Sequence, residues 1–177
     1  MSSWPKRVPP VPPAPAGPRA VHVIDPVFEQ FFREQEGQTV RLAHLITGSN
    51  VVGEEIAQEA FAAVYVRWEE LREPVGYLRT SVVNRSRSYL RREAVARRGT
   101  RTIAATVQNT EDSYGDADGT LRSALAGLNE RQRTAVVLRY WAGLSEREIA
   151  TELGCRPGTV KSALSRAMDE LRKVMGE

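Results

Sequence analysis

The chain has 177 residues, of which 41% are hydrophobic and 27% charged, with a formal net charge of +3. This length suits one moderate core or, best, two small helical domains, and argues against a large catalytic α/β domain. The single cysteine, Cys155, excludes an intramolecular disulfide framework and predicts a reducing, cytoplasmic location. Because the chain has no apolar run of about 18 residues and no apolar centre near its N-terminus, we expect neither a membrane span nor a secretory signal.

The first 20 residues hold seven of the ten prolines, in the stretch "WPKRVPPVPPAPAGPRA". Such a segment favours extended polyproline conformations over packing. We therefore expect residues 1–20 to form a disordered tail, with a proline-rich ligand for a partner's aromatic groove as the alternative.

Residues 21–98 are predicted to form a first helical domain. Asp25 is a suitable N-cap, Pro26 fits the first helical position, and Gly48 fits the end of a helix. Pro74 interrupts the helical pattern later in this domain. The sequence thus predicts separate helices before and after these breaks.

The helix predicted within "VVGEEIAQEAFAAVYVRWEEL" has two different faces. An apolar stripe recurs every four residues and is predicted to face the core: Ile56, Ala60, Val64 and Trp68. On another face, Glu55 and Glu59 are like charges one turn apart, and neither has a lysine or arginine one turn further on. This pattern indicates an external basic partner, with an ordinary solvated face as the alternative.

The stretch "VGYLRTSVVNRSRSYLRREAVARRGTR" predicts a basic helix. Residues 85–101 contain seven arginines against one acid, Glu93. Polar and cationic side chains share one face at helical spacing: Asn84, Arg87, Ser88 and Arg91. Guanidinium groups suit phosphate contacts, and nearby aromatic side chains fit either base stacking or the core: Trp68, Tyr77 and Tyr89.

Residues 99–119 lose helical periodicity and are predicted to be a flexible linker to a second helical domain, residues 120–177. Here Asn129 is a predicted N-cap, and Gly143 is predicted to end the helix that follows. The core side of that helix is predicted to contain Val136, Val137, Tyr140 and Trp141. The predicted fold class is therefore all-α, with two small domains.

The stretch "LSEREIATELGCRPGTVKSALSRA" predicts a helix-turn-helix. Ser145 and Glu148 fit a capping box, Gly154 fits the turn, and Pro157 fits the start of the second helix. Apolar residues are predicted to face inward: Ile149, Ala150, Leu153, Val160, Leu164, Ala167 and Leu171. A helix-turn-helix places its second helix in the DNA major groove, whereas a helical hairpin without a ligand is the alternative.

No metal or cofactor site is predicted. His44 lies among apolar residues, no second histidine stands at metal-ligand spacing, and the chain has neither a Glu-x-x-His motif nor a phosphate-binding loop. These absences argue against a metal-dependent hydrolase.

Five stretches in order make the chain resemble the extracytoplasmic-function sigma factors of the sigma-70 family, from about Phe28 to Lys173. They are "LAHLITGS", "GEEIAQEAFAAVYVRW", "PVGYLRTSVVNRSRSYLRR", "LAGLNERQRTAVVLRYWAGLSEREIATELG" and "PGTVKSALSRAMDELR". The resemblance implies a subunit that directs bacterial RNA polymerase to promoters and opens DNA. The resemblance also implies that the subunit has no catalytic residue of its own, because the core enzyme carries out phosphodiester synthesis.

The resemblance also implies partners and site residues. Contact with the clamp coiled coil of the polymerase β′ subunit is expected from Glu54, Glu55, Gln58 and Glu59. Contact with the minus-ten element is expected from Asn84, Arg85, Arg87, Ser88, Arg91 and Arg92. Contact with the minus-thirty-five element is expected from Arg156, Thr159, Lys161, Ser162, Ser165 and Arg166. The β flap is a further expected partner, an anti-sigma factor is left open, and no membrane insertion is implied.

Three positions depart from the family pattern. Glu55 stands where many relatives have Asp, Ala163 stands where they often have Arg, and Arg156 replaces a small hydroxyl cap. The main rival is a stand-alone helix-turn-helix regulator, which accounts for residues 144–167 and leaves the acidic face and the arginine-rich helix unexplained.

Overall fold

The computed structural model describes residues 25–99, 121 and 123–175, with side chains described as far as residue 96 in the first range and residue 174 in the last. The regular elements in these ranges are all helical, which confirms the predicted all-α fold. The predicted tail and residues 100–119 of the predicted linker lie outside the described residues, and Gly99 is the last residue of a helix.

The N-terminal half contains three long helices: α1 (Pro26–Thr47), α2 (Asn50–Val66) and α3 (Pro74–Gly99), with a short 3₁₀ helix at Trp68–Glu70. Asp25 accepts a hydrogen bond from the Val27 N–H at 2.9 Å, which confirms the predicted cap. Gly48 ends α1 with φ of 79°, a left-handed conformation that glycine adopts without strain.

Aromatic side chains pack together in the core of this half. The rings of Phe28 and Trp68 pack edge to face at 5.2 Å, and Phe31 lies 6.2 Å from Phe61. The Trp68 indole N–H also donates to the Asp25 carboxylate at 3.1 Å, so the cap of α1 is hydrogen-bonded to the 3₁₀ helix that follows α2. Ile56, Ala60 and Val64 of the predicted stripe face this core from α2, whereas Trp68 lies in the 3₁₀ helix and is only partly buried.

The C-terminal half contains a helical segment at residues 123–126, followed by α4 (Glu130–Val136), a π-helical segment (Val137–Trp141), α5 (Glu146–Leu153) and α6 (Pro157–Met175). The predicted N-cap at Asn129, the predicted capping box at Ser145 and the predicted turn at Gly154 are confirmed, the last with φ of 60°. Asn129 also forms a capping box with Gln132, which was not predicted. The inward faces predicted for α5 and α6 are buried, except that Leu171 is half-buried.

The predicted core positions of Tyr140 and Trp141 are wrong. Their exposed fractions are 65% and 48%, whereas Val137 and Leu138 are buried. The helix changes to π geometry at Val137, which widens each turn and rotates the following residues away from the positions that a 3.6-residue period predicts.

The two halves pack against each other. Buried apolar residues from both halves belong to one contiguous cluster. Arg133 of α4 donates to the Ile46 carbonyl of α1 at 3.3 Å, and the Arg41 guanidinium lies 5.8 Å from the ring centre of Trp141. The faces of α1 and α3 are thus brought close to the C-terminal half.

Candidate polymerase and DNA interface

The acidic face of α2 lies in solvent. Glu54, Glu55, Gln58 and Glu59 are all exposed, because Ile56 and Ala60 occupy the opposite side and pack into the core. Among the described residues, Glu54 and Glu55 form no ion pair. The four carboxylate and amide side chains therefore offer an acidic strip to a basic partner.

Glu59 of this strip has a partner on another helix, because Arg85 of α3 forms an ion pair with its carboxylate. Spacing along a single helix could not reveal this pair, since Arg85 comes from the neighbouring helix. The acidic strip and the basic helix are thus connected through one side-chain contact.

The predicted minus-ten residues of α3 differ in accessibility. Arg91 and Arg92 are exposed, and Arg91 donates to the Ser88 hydroxyl at 3.2 Å. Asn84, Arg85 and Ser88 are half-buried, and the Asn84 Oδ1 has no hydrogen-bond partner among the described residues. The outer end of this face is therefore open to a ligand.

Arg87, at the centre of the same face, is 2% exposed. Its Nε lies 3.3 Å from the Glu130 carboxylate at the start of α4. Burial lowers the pKa of Arg87, and the attraction of Glu130 raises it by less. In this arrangement the C-terminal half covers Arg87.

The predicted minus-thirty-five residues surround the start of α6. Five are exposed (Arg156, Lys161, Ser162, Ser165 and Arg166) and Thr159 is half-buried. A groove of about 570 Å³ runs between this helix and the start of α4, and is lined by Glu130, Arg131, Thr159, Ser162 and Arg166. Ala163 also lines the groove but is itself buried against the core.

Sequence reasoning missed the acids of the C-terminal half that meet α3. Glu152 of α5 is mostly buried, with a carboxylate oxygen 3.8 Å from the Arg79 Nε. Burial raises the pKa of Glu152, whereas Thr80 and Arg79 lower it by less. Spacing gives no signal for this pair or for Glu130 with Arg87, because both pairs join distant parts of the chain.

Within the described ranges, no cluster of His, Cys, Asp and Glu could hold a metal ion. No helix there is long and apolar enough to cross a membrane.

Comparisons with known proteins identify the family. The family model described as "Sigma-70, region 4" matches residues 118–171. The RNA polymerase sigma-E factor of Streptomyces coelicolor is 30% identical over 149 residues, covering 82% of this chain and 84% of the relative. The sigma-E factor of Streptomyces avermitilis is 31% identical over 150 residues, covering 82% and 83%.

The chain belongs to the extracytoplasmic-function sigma factors of the sigma-70 family. As a sigma factor, the protein is an initiation subunit that directs transcription initiation by RNA polymerase.

Solved sigma factors share the fold. Sigma factor RpoE in complex with the anti-sigma factor NepR, from Bartonella quintana, gives a TM-score of 0.66 at 22% identity and covers 85% of this chain and 97% of its own. CnrH in complex with the cytosolic domain of CnrY gives 0.58 at 19% identity, covering 84% and 87%. These likenesses support the all-α architecture of the sigma factor described here.

Proposed function

We propose that this sigma factor binds core RNA polymerase through the acidic strip of α2 and promoter DNA through α3 and the start of α6. The observation that carries the proposal is the separation of charge between these surfaces. Glu54 and Glu55 are exposed without ion pairs among the described residues, whereas exposed arginines follow one another on α3. A basic protein surface fits the first, and DNA phosphates fit the second.

The proposed roles follow from the chemistry of each face. Arg91 and Arg92 would hold phosphates of the opened strand, and Asn84 would hydrogen-bond a flipped-out base beside them. On α6, Lys161 and Arg166 would contact phosphates and base edges in the major groove. The further partners we propose are the polymerase clamp, the β flap and an anti-sigma factor, with action in the cytoplasm and no catalytic step on this chain.

Run-off transcription with purified core polymerase, with and without this protein, tests the proposal. On the DNA upstream of its own gene we expect a discrete new transcript that depends on the protein. A stand-alone regulator would instead bind duplex promoter DNA tightly without polymerase and give no transcript. Absence of both a transcript and core binding would contradict the proposal.

The docking face has its own test. We expect Glu55→Arg to abolish co-purification with core polymerase, because it places a cation against a basic partner. Glu36→Arg makes the same change on the exposed side of α1 and should leave core binding unchanged. Equal co-purification of both variants would contradict the assignment of α2.

The recognition helix is tested by Arg166→Ala. If Arg166 contacts a base, its loss should cost about 1–3 kcal/mol of promoter affinity and relax one position of the upstream element. Arg172→Ala removes an exposed arginine further along the same helix and is the matched control. Unchanged affinity and selectivity in Arg166→Ala would show that the proposed register of α6 on DNA is wrong.

A further inference from the structure

The outward face of α2 carries apolar side chains as well as the acidic strip. Val51 and Val66 are exposed by 56% and 50%, Ala62 is exposed, and Tyr65 is half-buried. At 3.6 residues per turn, Val51, Ala62 and Val66 share one face with Glu55. This face therefore combines apolar and acidic groups in a single row along the helix.

The first 24 residues (the N-terminal segment) join the described helices beside the C-terminal end of this face. Asp25, the first described residue, accepts a hydrogen bond from the Trp68 indole N–H at 3.1 Å. Phe28, in the first turn of α1, packs edge to face against Tyr65 at 4.8 Å. The point of attachment of the N-terminal segment is thus close to Tyr65.

The composition of the N-terminal segment complements that of the face. The segment contains no Asp or Glu, and its cations are Lys6, Arg7 and Arg19. Its last four residues, 21–24, read "VHVI" and are mostly apolar. Apolar groups therefore come first along the segment from its point of attachment, and basic groups come further out.

The reach of the segment matches the order of groups on α2. In a polyproline conformation, which its prolines favour, Arg19 lies within about 19 Å of Asp25. Glu55 lies about 16 Å from Val66 along the helix axis. Arg19 can therefore reach the Glu55 carboxylate while residues 21–24 cover the apolar end of the face.

Attachment to α1 also favours this segment over a separate molecule. A segment that is tethered close to its site has an effective concentration of about millimolar, so weak contacts suffice to hold it. Polyproline segments lose little conformational entropy when they bind next to aromatic side chains. Glu55 forms no ion pair among the described residues, so its carboxylate is available to a guanidinium.

We propose that the N-terminal segment docks along the outward face of α2 in the free protein, with residues 21–24 on Tyr65 and Val66 and with Arg19 at Glu55. Docked there, the segment covers the surface proposed to bind core polymerase, so the polymerase has to displace it. This consequence rests on the proposed function, whereas the docking itself does not.

A nitroxide label at Ala16→Cys, in a full-length Cys155→Ser chain, tests the docking without polymerase. The label broadens the NMR signals of nearby backbone amides. Glu36 on α1 and Glu55 on α2 each lie about 16 Å along their helices from the point of attachment, so an undocked segment would broaden both alike. We expect a larger loss of signal at position 55 than at position 36.

Surface variants separate docking from chance proximity. Val66→Ser removes an exposed apolar side chain from the face and should reduce the difference between positions 55 and 36. Val174→Ser makes the same change at an exposed valine of α6 and is the matched control, which should leave the difference unchanged. Arg19→Glu should abolish the difference, and adding Glu55→Arg should restore it, because the exchange re-forms a pair of opposite charges.

Affinity for core polymerase tests the consequence. Arg19→Glu should strengthen core binding about twofold to fivefold, the range for loss of one exposed ion pair in the competing contact. Arg7→Glu makes the same change further out on the segment, which in a polyproline conformation extends past the far end of α2. This control should change core affinity less, and fluorescence anisotropy measures both variants.

Three results would overturn the inference or the proposed function, each in its own way. Equal broadening at positions 55 and 36 in the parent protein would overturn the docking, whatever the affinity for polymerase. Docking without any gain in core affinity for Arg19→Glu would overturn the competition, and loss of core binding in Glu55→Arg would then still support the polymerase face. Unchanged core binding in Glu55→Arg would instead contradict the proposed function.

Discussion

A single arginine, Arg133, connects the N-terminal and C-terminal halves through backbone oxygens. Its guanidinium donates to the carbonyls of Leu125 at 3.0 Å and Leu128 at 3.2 Å. It also donates to Ala126 and to Ile46 of α1, each at 3.3 Å. This one side chain thus bonds four backbone carbonyls drawn from both halves of the chain.

We therefore expect Arg133→Ala to lower the free energy of unfolding by about 3 kcal/mol, because part-buried carbonyls lose charge-assisted hydrogen bonds. Urea denaturation followed by circular dichroism measures this. Arg172→Ala, which removes an exposed pair with Asp169, should cost about 0–1 kcal/mol. Equal losses in the two variants would show that Arg133 contributes no more than a surface charge.

The buried carboxyl of Glu152 gives stability a pH dependence of defined sign. Burial raises the pKa of Glu152 in the folded protein. Its protonated form therefore favours folding: this stabilisation is full below the unfolded pKa, near 4.3, and is lost as the pH rises through the folded pKa. Glu152→Gln has no carboxyl to ionise at this position, so its stability does not fall for this reason as the pH rises. Denaturation at several pH values, from about 4 to about 7, measures the free energy of unfolding of both proteins. We expect the variant's value to rise relative to that of the parent protein as the pH rises, and a constant difference would contradict this.

At the scale of single elements, the start of α5 depends on its capping box. The Ser145 hydroxyl accepts from the Glu148 N–H at 3.3 Å, and the Glu148 carboxylate accepts from the Ser145 N–H at 2.8 Å. Ser145→Ala should cost about 1 kcal/mol of stability by chemical denaturation. Ser165→Ala, on the exposed face of α6, should cost much less, and similar losses for both would contradict a specific capping effect.

The same elements show how far sequence reasoning reaches. Caps at Asp25, Asn129 and Ser145 could be predicted because the groups involved are within a few residues of one another. The apolar stripe of α2 could be predicted because helical period alone determines it. The exposure of Tyr140 and Trp141 could not be predicted, because the helix changes to π geometry at Val137. No proline or glycine in that segment indicates this change in the sequence.

Contacts between elements could not be predicted from spacing. The exposed positions of the proposed site on α2 and α6 follow from the same helical periods as their cores. The burial of Arg87 and the pairing of Glu59 with Arg85 depend instead on how α3 meets α4 and α2. These non-local pairs decide which predicted site residues are accessible in the free protein.

At the scale of the whole molecule, the pair between Glu59 and Arg85 connects the proposed polymerase face to the proposed DNA face. Glu59 is mostly exposed and Arg85 is half-buried, so the pair is accessible to partners from outside. A basic polymerase surface that engages Glu59 would release Arg85 for phosphate. Glu59→Gln should therefore change affinity for the two partners in opposite directions.

We expect Glu59→Gln to weaken binding to core polymerase and to strengthen binding of free protein to single-stranded DNA. Each change should be about twofold to fivefold, because exposed pairs contribute about 0.2–1 kcal/mol. Fluorescence anisotropy with each partner separately measures both affinities. Glu55→Gln is the matched control: it should weaken polymerase binding alone, since Glu55 forms no ion pair with a described residue of α3. Identical DNA affinities in the two variants would show that the ion pair with Glu59 does not reduce DNA binding by Arg85.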